Sequence, residues 1–405
     1  MKNILYLIIL MNGLLYSQND YVNQVLILNE GYLDFYTDEI IEPVTIGVCD
    51  ISLDDPTYVD VIEIADAKFA TDLIINGDFF YVAADNRVLK YHLDTYDFIS
   101  SQNISGARKL AIYGEYLFVS KGDYDNETFG PVVFDSYLDV FDLNLNYQFG
   151  FNSDNGPQWS TENLLINDEK LYILINNAYE WGNYQGLIGI VNLNTMIYEE
   201  EIDLGDDGKN PINLMFENNK LYTLNNKNWD GSSVSVFDIN SSELQTINLS
   251  DVSAGCGVSI IRDEKLNYQK NGESTMNILN LENLSPNGVE DNLNLNYYAI
   301  AENPNTGNMF AATSDFVTNS QVYVYDSNNN ELFNFTSGVT TAKIVFDIRN
   351  LQNTTIAEVN QCSISKKLIK TIDYLGKEIL ENNLNNKINI KLYNDGSVEK
   401  QILIK

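Results

Sequence analysis

Along most of this chain, short apolar runs alternate with polar turns, and the runs have the length and character of strands. One unit recurs: an apolar strand, a tight polar turn, and a second strand ending in an aromatic. It reads Leu73-Ile74-Ile75-Asn76-Gly77-Asp78-Phe79-Phe80-Tyr81-Val82, then Leu110 to Val119, Leu164 to Ile173, Leu214 to Thr223, Ser259 to Tyr268, and Tyr298 to Ala311. Taking Tyr81, Phe118, Tyr172, Tyr222, Asn267 and Phe310 as equivalent, the spacings are 37, 54, 50, 45 and 43 residues, and a period in the forties is that of four-stranded propeller blades. A second pair of alternating runs follows each unit, as in Ser233 to Ile239 and Leu244 to Leu249, and supplies the third and fourth strands. Six blades are explicit.

A seventh has to be assembled from both ends. Gln24 to Gly31 has the pattern of a second strand with no first strand before it, continued by Val44 to Ile51 and Tyr58 to Ile64. Ala342 to Ile348 has the pattern of a first strand with nothing after it. Joining them closes a ring and hides the sheet edges. The expectation is an all-β chain: a seven-bladed β-propeller over residues 18–348, a linker over 349–365, and a small C-terminal β module over 366–405. The competing all-β arrangement, a pair of sandwiches, would lack the long period.

The ends differ from the middle. Lys2 followed by the apolar run from Ile4 to Met11, with small and polar residues near Ser17, predicts a signal peptide over residues 1–17 and hence an exported chain. The 405 residues carry 57 acidic and 24 basic side chains, a net charge of -33, which excludes nucleic acid as a partner of the body. The charge is uneven: residues 366–405 hold 8 basic and 5 acidic side chains, while residues 3–365 hold 15 and 52. The tail also carries a hairpin signal, Asn394-Asp395-Gly396 between apolar alternations.

Asp373-Tyr374-Leu375-Gly376-Lys377-Glu378, with Gly396 and the final strand from Val398 through Lys400 to Lys405, resembles the C-terminal sorting domains of the type IX secretion system of Bacteroidetes. That resemblance implies a sorting signal at Asp373, Gly376, Lys377, Glu378, Gly396 and Lys400, secretion to or beyond the outer surface, and the secretion machinery as a partner. The Pro-Asn-Pro opening of such domains is absent. The body, through Leu28-Asn29-Glu30-Gly31 and the repeated Lys170-Leu171-Tyr172 and Lys220-Leu221-Tyr222, resembles the YncE-like secreted propellers, including surface corrinoid-binding relatives. What that implies is non-catalytic capture of a small nutrient, such as a corrinoid, with an outer-membrane transporter as a further partner.

Chemistry is sparse by comparison. The single histidine, His92, would have to anchor any Ser-His-Asp or Cys-His arrangement, and Cys49, Cys256 and Cys362 are too scattered for a CxxC site. They read as buried small side chains. Asp123, Asp125 and Glu127 imitate a calcium loop, but Thr128 and Phe134 stand where glycine and glutamate are required. No metal or cofactor is expected. The loops on one face of the ring collect Arg87, Arg108, Tyr124, Trp159, Tyr179, Trp181 and Trp229, flat apolar surface beside cations, which suits a small polar ligand or a surface protein. The alternatives are a carbohydrate-active hydrolase or lyase and an adhesion or matrix protein.

Overall fold

The Lys-Leu-Tyr strand shows why the repeat folds as it does. In Lys170–Ile175, Leu171, Ile173 and Ile175 pack with Phe118 and Val140 of the preceding blade, while Tyr172 and Leu174 pack with Leu214 and Leu221 of the following one. Both faces of the strand are covered, so the apolar run is continuous instead of alternating. Polarity rises outward: the fourth strand of the first blade, Phe98–Asn103, is almost wholly exposed.

In the computed structural model, residues 20–51, 56–350 and the tail strands Leu368–Asp373, Ile388–Tyr393 and Val398–Ile402 are described. Residues Val22–Ile348 pack as one unit. It contains seven four-stranded antiparallel sheets, and the chain is a seven-bladed propeller. The first strands of blades one to six are Ala70–Asn76, Ala107–Tyr113, Thr161–Asn167, Pro211–Glu217, Ser259–Arg262 and Tyr297–Glu302. The first strands of blades one to four lie successively beside one another, so this layer lines the axis.

The seventh sheet runs in the order Thr341–Asn350, Asp20–Asn29, Val44–Cys49, Tyr58–Ile64, joining the two ends of the body as the split pattern requires. Its junction is polar and buried: Thr341 Oγ1 donates to Asn29 Oδ1 at 2.7 Å, and Asn29 Nδ2 donates to Thr45 Oγ1 at 3.0 Å and Tyr58 Oη at 2.7 Å. One hairpin has no counterpart in the repeat: Tyr32–Asp34 with Glu39–Glu42, between the second and third strands of the closing blade. Its tip leaves Phe35 and Tyr36 exposed.

First strands share a second device. Register shifts occur between Ala70 and Asp72, Ala107 and Leu110, Thr161 and Leu164, Pro211 and Asn213, and Tyr297 and Ala299. A bulge inserts residues that the ladder does not pair and re-aims their side chains. From these positions side chains bridge to the next blade: Thr71 Oγ1 donates to the carbonyl of Arg108 at 2.6 Å, and Asn163 Nδ2 to that of Ile212 at 2.7 Å.

The tail strands form a separate three-stranded antiparallel sheet, with Leu392 opposite Val398. Asp373 and Lys400 of the expected sorting signal lie on its strands. Gly376, Lys377, Glu378 and Gly396, the signal peptide, most of the linker and Cys362 lie outside the described residues.

Candidate functional site at the channel mouth

The bulged first strands place a charged cluster at one end of the channel. Arg108 and Lys109 come from the second blade, Glu162 from the third, and Glu30 from the segment leaving the second strand of the closing blade. Arg108 grips Glu162 with two donors, Nε to Oε2 and Nη2 to Oε1, both at 3.2 Å. Lys109 Nζ donates to the carbonyl of Thr71 at 2.6 Å and stands 3.9 Å from Glu162 Oε1. Tyr298, in the bulge of the sixth blade, donates its hydroxyl to both oxygens of Glu30 at 3.2 and 3.3 Å.

Burial governs the protonation of this cluster. Desolvation pushes the Glu30 carboxyl up from 4.5 to about 7, against the opposing pull of Lys109, the Tyr298 hydroxyl and Arg108. Burial works against the charge on Arg108, but Glu162 and Tyr179 outweigh it and hold the guanidinium more firmly charged than usual. Lys109 is pushed down by burial, with Glu162 and Asp72 offsetting part of that. Asp72 in turn pairs with Lys343 of the closing blade at 3.0 Å.

Above the ion pair lies an aromatic layer. The Arg108 guanidinium carbon is 5.5 Å from the centre of the Tyr179 ring, and Tyr124 stacks on Tyr179 with centroids 6.4 Å apart and planes 19° from parallel. Gly122 makes room for this: a Cβ there would stand 2.5 Å from the Tyr179 ring and 2.9 Å from Ser160. Tyr124 keeps a face in solvent, while burial raises the Tyr179 hydroxyl well above its ordinary value. The first strands of blades six, seven, one and two line a channel cavity of about 500 Å³ with Ile300, Val345, Ile74 and Leu110 among its walls.

Of the seven residues singled out from the sequence, Arg108, Tyr124 and Tyr179 come together here. Arg108 belongs to a bulged strand, not to the loop that its neighbours Gly106 and Ala107 suggest. Arg87 is committed elsewhere, its Nη1 donating to Asp66 Oδ2 at 2.9 Å. Trp159 is half-buried against the core of blades two and three, so its ring is packing material and not a free binding surface. Trp181 is 84% exposed and touches Tyr184 edge-on, and Trp229 sits in the short turn Lys227–Trp229, so neither joins the mouth cluster.

Glu30, Lys109, Glu162 and Tyr298 were not singled out. The signal of Lys109, Glu162 and Tyr298 is positional: each flanks the apolar run of a repeat unit within the bulge of a first strand, whereas Glu30 directly follows the second strand of the closing blade.

The remaining sequence candidates resolve as structure. His92 Nδ1 accepts the backbone N–H of Asp94 at 3.2 Å and its ring meets Phe79 edge-on, so it ties a turn. Asp125 Oδ1 accepts the N–H groups of Glu127 and Thr128 at 3.0 and 2.7 Å, closing its own loop. Among the described residues, no group of three or more His, Cys, Asp or Glu is placed to hold a metal ion. Cys49 is buried and its thiol is pushed up to about 12 by desolvation, with Asp50 adding to it. Cys256 departs from the buried reading: it is exposed near the mouth, its thiol raised by desolvation and then by Glu30 and Glu162.

No protein-family model matches the chain, and no curated protein matches it. Among solved structures, it is similar to a hypothetical selenium-binding protein from Sulfolobus tokodaii, with a TM-score of 0.56 and 11% identity over 80% of this chain and 94% of that one. It is also similar to U3-55K and to the WD40 repeats of RRP9, each at a TM-score of 0.48 and 14% identity, covering 66% and 67% of this chain and 81% of each of theirs. In all, 1136 solved chains match, so the architecture is common and a ligand has to be argued from the site.

Proposed function

We propose that this chain is an exported binding propeller that captures a small polar ligand at the channel mouth without turning it over, and that the ligand is a corrinoid. The observation that carries the reading is the layered seat in which Tyr124 stacks on Tyr179 over the Arg108–Glu162 pair. It offers an exposed flat ring beside fixed donors and acceptors whose charges already balance. A corrin macrocycle is flat and edged with carboxamides, so it can lie on the ring while its amides meet polar groups at the rim. Export is supported by the apolar run after Lys2 and by the tail pattern around Asp373 and Lys400. Delivery to an outer-membrane transporter would follow from capture at the outer surface.

The experiment is titration of the full chain with cyanocobalamin and with dicyanocobinamide, followed by calorimetry and by the visible spectrum of the corrinoid. Tyr124→Ala should weaken binding tenfold or more, equivalent to about 1.4 kcal/mol. Absence of saturable binding by either corrinoid removes the ligand class. Binding that is indifferent to both Tyr124→Ala and Arg108→Met removes the seat.

A further inference from the structure

The interface between the fifth and sixth blades departs from the apolar filling of the others. At the middle of the second strand, Tyr81, Phe118, Tyr172, Tyr222 and Phe310 are buried, each among residues of the next blade. In the fifth blade the register puts Asn267 in that place, opposite Ile260 and Ile278 as Tyr222 is opposite Met215 and Val236. Asn267 is 5% exposed, and its Oδ1 has no hydrogen-bond partner within the chain. Where five of the other interfaces hold a ring and the closing blade supplies Leu26 and Leu28, this one has a cavity of about 270 Å³ with Asn267, Arg262, Lys265, Glu290 and Asn329 in its wall.

The wall is charged but balanced. Arg262 donates to Glu302 at 2.5 Å, to Asn329 Oδ1 at 2.7 Å and to the carbonyl of Gly307 at 2.8 Å. Lys265 Nζ and Asn329 Nδ2 hold the two oxygens of Glu290 at 3.0 and 3.1 Å. An ionic ligand would have to break one of these pairs, whereas a hydroxyl would not. A hydroxyl both donates and accepts, so it serves the Asn267 amide in either orientation of that group, and Lys265 has donors beyond the one spent on Glu290. The volume lies just below the usual range for ligand pockets, about 300 to 1,000 Å³, and so suits a single ring.

The geometry points to a second binding site between blades five and six, separate from the channel mouth, for a small neutral polyhydroxylated molecule such as a monosaccharide or cyclic polyol. Asn267 is its specificity determinant. The test is saturation-transfer NMR and calorimetry on the full chain with D-glucose, D-galactose, N-acetyl-D-glucosamine and myo-inositol. At least one should bind saturably at millimolar concentration. Asn267→Leu keeps the size of the side chain and removes its polar atoms, and Asn267→Phe restores the ring of the other blades. Both should weaken binding tenfold or more while the far-ultraviolet spectrum stays unchanged. Equal affinity in wild type and Asn267→Leu overturns the site. So does no saturable response to any of the four probes, which would leave a cavity that holds only water.

Discussion

Replacing Glu30 by Gln should change how the stability of the propeller depends on pH. In the folded chain the Glu30 carboxyl keeps its proton up to about pH 7, while in the unfolded chain it releases it near 4.5. Between these values the folded state binds more protons than the unfolded one, so stability falls as pH rises, by up to 1.36 kcal/mol per pH unit. Across the interval that amounts to about 3 kcal/mol. Glu30 retains some contact with solvent, and screening brings the expected figure nearer to about 2 kcal/mol. Gln carries no charge at any pH and can still accept from Tyr298. Glu30→Gln should therefore match wild type at pH 4.5 and exceed it by about 2 kcal/mol at pH 8. Urea unfolding followed by tryptophan fluorescence is a suitable assay, because Trp159, Trp181 and Trp229 all lie in the body. A stability difference that is the same at pH 5 and pH 8, or a Gln variant weaker than wild type at pH 8, would refute the assignment of a buried, proton-holding carboxyl.

Two further substitutions probe the packing, one between blades and one within a blade. Tyr81 Oη and Lys90 Nζ both donate to the carbonyl of Leu143 at 2.8 Å, so Tyr81→Phe leaves that oxygen satisfied and should cost about 0.5 kcal/mol, whereas Tyr81→Ala should cost about 3 to 5 kcal/mol in denaturant titration. Lys121 pairs with Asp139 at 2.9 Å with each side chain 11% exposed, so Lys121→Met strands a carboxylate and should cost about 3 kcal/mol at pH 7. Lys121→Met combined with Asp139→Leu should recover most of that loss, because no buried charge is then left unpaired.

The blades were legible in the sequence because each repeat unit is buried on both faces, which writes the same apolar run at every turn of the ring. The split blade was legible for the same reason: Gln24 to Gly31 lacks a partner that Ala342 to Ile348 supplies. The mouth was only partly legible. A bulge adds unpaired residues without disturbing the apolar count, so Arg108 reads as the end of a loop and Glu162 as an ordinary acid until register is known. Glu30 acquires its unusual proton affinity from burial that no local pattern records, and the groups that oppose it, Lys109 and Tyr298, stand 79 and 268 positions away. Tryptophans mislead in the other direction: composition marks Trp159 as a recognition surface, whereas the core between two blades has taken it. Asn267 stood out as the one non-aromatic in its column, but only the cavity beside it gives that difference a meaning.

The bond from Thr341 to Asn29 spans 312 positions of sequence. At a synthesis rate of roughly 5 to 20 residues per second, the strand Asp20–Asn29 waits about 15 to 60 seconds after it is made before its neighbour Thr341–Asn350 exists. Throughout that interval it presents an apolar edge that any other nascent strand could join. The ring can therefore close only after the body has been completed, and a chain passed through a membrane unfolded would meet its closing partner on the far side.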